Sequence, residues 1–294
     1  MARKEQRVPE NTSGNFYVDA TCIDCGTCYW VAPDSFRRHG DHSAVYEQPA
    51  DGAATAAAYR ALLSCPVFAI GAGEKGPAFH QAMRDLPREI AGGVYHCGFH
   101  SEKSFGATSY FVRRGGGNLL IDGPRYTRNL VAAFARHGGI DLHLLTHKDD
   151  IADTDRYQQH FGGRRLLHRD DVTPATAGYE MLMEGEEPVA LADDLLMIPV
   201  PGHTRGSVCF LYQEKFLFTG DHLAFSRGRG HLAAFREACW YDFAVQTTSM
   251  KKLLDFSFEY ILPGHGAPYQ AGPDTMREAL ETCIRWMEAE VSTP

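Results

Sequence analysis

The string CIDCGTC spaces Cys22, Cys25 and Cys28 two residues apart, and a fourth cysteine, Cys65, arrives much later with Pro66 behind it. No other feature constrains this chain as much. Three thiolates at that spacing can wrap one face of a cubane, and a fourth from a distant segment can close it, which is the ligand arrangement of an iron-sulfur cluster. A zinc knuckle is the competing reading. Zinc sites, however, usually pair two CxxC or CxxC/HxxxH halves, and here one triplet faces one single cysteine. Gly26 follows Cys25 and admits a backbone conformation closed to residues with a Cβ, so the loop can turn its amides toward the sulfurs. The Ala-rich stretch from Ala53 to Ser64 reads as a helix that delivers Cys65, and Pro66 stops it.

The chain has 294 residues, 44% of them hydrophobic and 22% charged, with a net charge of -8. That is length for two cores. The acidic total argues against a nucleic-acid partner, whose footprint is a basic face. Arg113-Arg114 and Arg164-Arg165 read as solvated surface. No apolar run is long enough to span a membrane. The opening MARKEQRVPENTSG carries charge but no apolar stretch behind it, so no secretory signal is expected and a cytoplasmic, reducing location is. There Cys97, Cys209, Cys239 and Cys283 are expected to be free thiols.

Residues 1–14 read as a tail, 15–80 as the cluster segment, 81–92 as a linker and 93–294 as a second domain. GAGEKGPA is the first loop-like break, and Phe79 to Ile90 reads as a short helix leading to Gly92-Gly93. Strands and helices alternate beyond it. Tyr110 to Val112 and Asn118 to Ile121 flank a Gly-Gly-Gly turn, a hairpin signal. Leu130, Val131, Phe134 and Ala135 share a helical face capped by Gly138, and Ile140 to Thr146 reads as a buried strand. Leu195 to Val200, Ser207 to Tyr212 and Lys215 to Thr219 are further strands. A closing helix from Asp274 sets Met276, Ala279, Leu280, Cys283, Ile284 and Met287 on one face, with these and Trp286 as packing residues.

Several of these strands end in a loop holding a metal-ligand residue. LLLTHKDDIAD places His147, IPVPGHTRGSVCFLY places His203, FLFTGDHLAF places Asp221 and YILPGHGAPY places His265, each close to Gly or Thr. Strand ends project side chains from a rigid sheet, which lets distant residues converge within metal-bond distance. His96, His100, His168 and His222 lie near these segments but read as hydrogen-bonded or surface imidazoles. Lys148 reads as surface-facing.

Two resemblances follow from these motifs. CIDCGTCYWVAPDSF with LLSCPVFAI, over about Asn15 to Ile70, resembles the single-cluster bacterial ferredoxins, and a cysteine at position 25 then implies a four-iron four-sulfur cluster. PGHT, TGD and PGHG, in this order, resemble the metallo-β-lactamase superfamily over about Gly93 to Pro268. Together they imply an α+β chain, a ferredoxin-like domain followed by an αββα sandwich with metal at one sheet edge. His203, Asp221 and His265 match that family's later ligands, Asp221 as the bridging carboxylate, and His147 matches the first histidine of its HxHxDH loop. Asp122, in LLIDGP, matches a strand-end aspartate that braces the metal loop.

The HxHxDH loop is degenerate. Asp149 stands where a second histidine is expected, and Ile151 and Ala152 where the Asp-His pair falls. Asp153 takes the aspartate role if the loop is two residues longer, and Asp150 is a rival donor. The same three aspartates also read as cap and first-turn charges of a helix. Carboxylates in place of imidazoles favour iron, manganese or a single zinc, so one or two divalent ions are expected. The resemblance implies hydrolysis of a small-molecule substrate by a metal-activated water, with Asp221 orienting the water and Asp149 or Asp153 accepting a proton or completing the coordination, as in the glyoxalase II branch and the lactonases. Two alternatives stay open. One is a non-haem iron oxidoreductase fed electrons by the cluster or a redox partner protein, as the flavodiiron proteins suggest with their carboxylate at the position of Asp149. The other is a cluster-bearing sensor with a decayed hydrolase site.

Overall fold

The structure, a computed structural model, describes residues 1–292. Its contacts divide the chain into two compact units, Met1–Asp141 with Ala152–Gly163, and Leu142–Ile151 with the chain from Arg164 onward.

In the first unit, β1 (Phe16–Val18) leads through the short helix α1 (Thr27–Val31) to a hairpin of β2 (Phe36–His39) and β3 (His42–Val45). Helix α2 (Gly52–Ser64) follows, and β4 (Ile70–Ala72) returns antiparallel onto β1. The alanines of α2 favour a helix, and Asp51 caps it by accepting from the Ala54 amide at 2.8 Å. The helix ends at Cys65, whose backbone is already extended, because Pro66 disfavours the helical conformation for the residue before it. Ala58, Ala61 and Tyr59 bury their faces against Phe16, Phe36 and Val45, and the Phe16 and Tyr59 rings meet edge to face at 4.8 Å.

Helix α3 (Pro77–Arg84) comes next, followed by an antiparallel meander of β5 (Arg88–Ala91), β6 (Val94–His96), β7 (Tyr110–Val112) and β8 (Leu119–Ile121). The expected helix over Phe79 to Ile90 is thus corrected: it stops at Arg84, and Arg88–Ala91 is a strand paired with β6. Pro87 explains the change, since it has no amide hydrogen and its ring clashes with the carbonyl four residues back in a helix. Helix α4 (Arg128–Arg136), capped by Thr127, and α5 (Thr154–Phe161) complete the unit. Phe134 stacks on Phe111 at 4.8 Å, so α4 packs on the meander.

The second unit contains two groups of strands. β9 (Leu142–Leu144), β10 (Arg164–His168) and β11 (Met181–Met183) run parallel. β12 (Val189–Ala192), β13 (Leu195–Pro199), β14 (Val208–Tyr212) and β15 (Phe216–Gly220) form an antiparallel run. A hairpin of β16 (Ala224–Ser226) and β17 (His231–Ala233) and helix α6 (Phe243–Met250) come before β18 (Tyr260–Pro263), which pairs parallel with β15. The short β19 (Tyr269–Gln270) borders β18. Every residue of β14 and β15 is buried, which is why both read as unbroken apolar runs.

Helix α7 (Pro273–Ser292) buries Met276, Leu280, Cys283, Ile284 and Met287, the face its spacing singles out. Arg165 is not the solvated charge its sequence context suggests. It pairs with both carboxylate oxygens of Glu180, at 2.6 and 3.1 Å, and lies over the Tyr179 ring. Among the described residues no helix is long and apolar enough to cross a membrane.

Candidate functional site

Cys22, Cys25, Cys28 and Cys65 line one cavity of the first unit, with Val18, Val67 and Ile70 as apolar walls. Gly26 takes the left-handed conformation, φ +83°, that turns the chain from Cys25 into α1. Backbone amides aim at the sulfurs: Ser43 donates to Cys22 Sγ at 3.3 Å and Ala69 to Cys65 Sγ at 3.2 Å. The Ser43 hydroxyl sits 3.1 Å from Cys28 Sγ and the Thr27 hydroxyl 3.4 Å from Cys25 Sγ. Burial raises the thiols of Cys25 and Cys28 and pushes Cys65 up to about 11. Three thiols that resist ionisation, Cys25, Cys28 and Cys65, grouped with Cys22 among backbone amides and hydroxyls, suit a cofactor that brings its own positive charge, as an iron cluster does. None of the eight cysteines forms a disulfide.

The second unit brings together residues from four loops. His147 follows β9, His203 follows β13, Asp221 follows β15 and His265 follows β18. Asp221 Oδ2 lies 3.9 Å from His147 Nε2 and 3.6 Å from His203 Nε2, and its Oδ1 lies 2.8 Å from His265 Nδ1. Asp149 Oδ2 is 4.0 Å from both His147 Nε2 and His203 Nε2, and Asp150 Oδ1 is 3.9 Å from His147 Nε2. Two donor triplets result, His147, Asp149 and His203, and His147, Asp150 and Asp221, each within 4.8 Å. Nε2 of His147 and Nε2 of His203 are buried and make no hydrogen bond, a costly state that a shared cation would relieve. Gly264 closes the floor. A Cβ there would come within 2.7 Å of Asp150 Oδ2 and 2.8 Å of Asp221 Oδ1.

The electrostatics suit cation binding. Burial, helped by the neighbouring imidazoles, brings His147 down to about 4, so its ring is neutral near pH 7. Its Nδ1 lies 3.0 Å from the Thr146 hydroxyl, which leaves Nε2 to carry the lone pair when Nδ1 donates. Burial works against an ionised Asp221, but His265, through its charge and its hydrogen bond, outweighs it and holds the carboxyl below the usual range. Burial raises Asp149.

Asp153 belongs to the other unit. It stands at the N-cap position of α5 without capping it, and its carboxylate accepts from Lys103 Nζ at 2.7 Å and the Tyr126 amide at 2.9 Å. Asp122, in the same unit, is buried in a left-handed conformation, φ +56°. His96 and His100 meet through their Nε2 atoms at 2.9 Å, and His168 Nε2 lies 3.1 Å from the Gly185 carbonyl, as expected of satisfied core histidines. His222 departs from that expectation. Its ring is buried, neither nitrogen makes a hydrogen bond, and burial brings it down to about 3.

One residue that spacing did not single out organises the loops. Asp171, buried after β10, accepts from the Lys148 amide at 3.0 Å, the Thr204 hydroxyl at 2.6 Å and the Gly206 amide at 2.8 Å. It therefore ties the loop of His147 to the loop of His203. The only trace in the sequence is an acidic pair directly after a strand. Asp171→Ala is expected to cost about 3 kcal/mol, because two buried donors and one half-buried donor lose their acceptor. Metal affinity should fall with it, and Asp171→Asn should restore part of both, as read by thermal unfolding and metal titration.

A family model described as the 4Fe-4S single cluster domain of Ferredoxin I matches residues 18–72. The lactamase-like protein aptB of Emericella nidulans is 27% identical over 188 residues, 60% of this chain and 56% of that protein. The hydroxyacylglutathione hydrolase of Xanthomonas oryzae pv. oryzae is 33% identical over 120 residues, 40% of this chain and 46% of that protein. The chain spans about half the length of the curated relatives it matches. Among solved structures, a metallo-beta-lactamase family protein of Thermus thermophilus aligns with a TM-score of 0.51 at 17% identity, covering 68% of this chain and 81% of that one. VMB-1 aligns with a TM-score of 0.52 at 14% identity, covering 70% and 97%. Likeness at these identities speaks to the fold alone.

Proposed function

We propose that this chain, which joins a 4Fe-4S single-cluster domain to a domain of the metallo-β-lactamase superfamily, is a metal-dependent hydrolase of small acyl substrates. The observation that carries the reading is the convergence of two buried, unpartnered imidazole nitrogens, of His147 and His203, on the carboxylate of Asp221. His147, His203 and Asp221 would hold the cation, with Asp149 or Asp150 completing the set and His265 aligned by its contact with Asp221. A divalent ion held there supplies Lewis acidity and lowers the pKa of a water toward about 7. Asp149 has a side chain 45% exposed against 11% for Asp221, so it is the carboxylate placed to take up a proton and pass it to solvent. The lactamase-like and hydroxyacylglutathione hydrolase relatives support acyl transfer to water, with thioesters and lactones as the substrate classes to try.

The test is a panel of thioesters and lactones with anaerobically purified protein. Hydrolysis should stop on removal of the labile metal by a chelator and return on adding zinc or manganese, with the cluster absorbance unchanged throughout. Full metal occupancy with no turnover on either class would sink the reading. A second reading rests on the carboxylates at 149 and 150, which make the donor set harder than an all-imidazole one and suit iron. Iron above four per chain, with turnover that depends on an electron donor, would favour an oxidoreductase fed by the cluster. No second metal at all would favour a sensor.

A further inference from the structure

The first unit contains a third group of metal-ligating side chains, none of them among the residues of the two sites above. Glu10, His39 and His42 each offer one donor atom, and the three atoms lie within 4.8 Å of one another. His39 and His42 face each other across the turn of the β2–β3 hairpin, where Gly40, in the left-handed region at φ +63°, and Asp41 make the two-residue link. Glu10 reaches them from the segment before β1. His42 Nε2 lies 3.2 Å from Glu10 Oε2, and His39 Nδ1 lies 3.8 Å from Glu10 Oε1.

Two features separate this group from a chance surface pairing. The first is that its geometry is prepared. Asn11, next to Glu10, is buried with every capacity of its amide used: it accepts from the Val18 and Val45 amides and donates to the Val8 and Val18 carbonyls. It thereby locks the Glu10 segment to β1 and β3. Asp41 Oδ1 sits 3.1 Å from His42 Nδ1, the outer carboxylate-histidine contact that fixes a ligating ring and raises its basicity. The second feature is spacing. Zinc bonds of about 2.0 to 2.1 Å at a tetrahedral angle put neighbouring donors about 3.3 Å apart. The observed 3.2 and 3.8 Å run to the two different oxygens of Glu10, and one donor atom from each residue fits within 4.8 Å, so a cation enters once these side chains draw in by up to about 1.5 Å.

We propose that Glu10, His39 and His42 form a binding site for a divalent transition-metal ion of the zinc class, with two imidazoles and one carboxylate as ligands and water at the remaining position. The ion ties the Glu10 segment to the hairpin. Ser43, the residue after His42, is the one that meets Cys22 and Cys28, so the tie braces the wall of the cluster cavity.

The experiment is equilibrium dialysis of the cluster-loaded full chain against micromolar free zinc, followed by elemental analysis, for wild type, His39→Asn, His42→Asn and Asp41→Asn. The site around His147 fills equally in all four, so differences in zinc content report on the hairpin. Wild type is expected to hold one zinc more than His39→Asn or His42→Asn, and Asp41→Asn to bind that zinc at least about tenfold more weakly. His39 has a side chain 54% exposed, so its variant keeps the fold and the cluster absorbance. Equal zinc in wild type and both histidine variants overturns the site and leaves an ordinary ion pair. Zinc should also slow the loss of cluster absorbance in air for wild type and not for His42→Asn, and equal rates overturn the bracing role.

Discussion

Asp221→Ala should strip the second metal from the protein and abolish hydrolysis while the cluster stays intact. Asp221 is the carboxylate that meets all three candidate histidines: it contacts His265 Nδ1 and stands within 4 Å of Nε2 of both His147 and His203. It also accepts from the His265 amide at 3.1 Å, so it positions the loop as well as the cation. Its loss leaves the imidazoles with only Asp149 and Asp150 as nearby anions, and takes away the carboxylate that links all three rings. An outer-sphere partner of a ligating residue typically contributes about 10- to 100-fold in affinity, and removing a carboxylate at the centre should exceed that. The expected result is no zinc, manganese or excess iron after gel filtration, and kcat/KM at background. Asp221→Asn keeps the volume and separates loss of charge from misfolding. Full metal occupancy in either variant would remove Asp221 from the ligand set, and the hydrolase reading with it.

Cys28→Ala carries the other large effect. Cys28 sits in the first turn of α1, buried, with its sulfur facing Ser43 and the field of three further thiols. A cube gripped by four sulfurs loses a corner ligand and, with it, the broad visible absorbance. Metal-binding free energy in so small a segment is also folding free energy. Residues 16 to 72 should therefore become sensitive to limited proteolysis, while the second compact unit, which has its own core around Ile198, Leu217, Met250 and Leu280, stays resistant. A variant that keeps the visible spectrum would show that the cysteines hold something else, or nothing.

Much of this was legible in the residues. The heptad-like face of α7, the buried runs of β14 and β15 and the Ala-rich helix before Cys65 all obey rules set by neighbours a few positions apart. Local rules failed where one residue outweighed the pattern around it, as when Pro87 turned the end of an expected helix into β5. They also failed at His222, where hydropathy gave no sign that an imidazole would be buried without partners. Arg165 looked like surface charge because Glu180 and Tyr179, its partners, come from further along the chain.

The sequence by itself determined which groups are available for chemistry: four thiols in a cluster spacing, and histidines and aspartates at the ends of apolar strands. These are matters of residue type and short-range order, which the backbone period transmits directly. Only the tertiary structure decided which of those groups meet. It set Asp149 and Asp150 beside His147 and turned Asp153 to Lys103 and Tyr126. It made Asp171 the pin between two loops and drew Glu10 to a hairpin about thirty residues away. The physical reason is that strand register and loop packing act across tens of residues, where a shift of one position reverses the direction of a side chain.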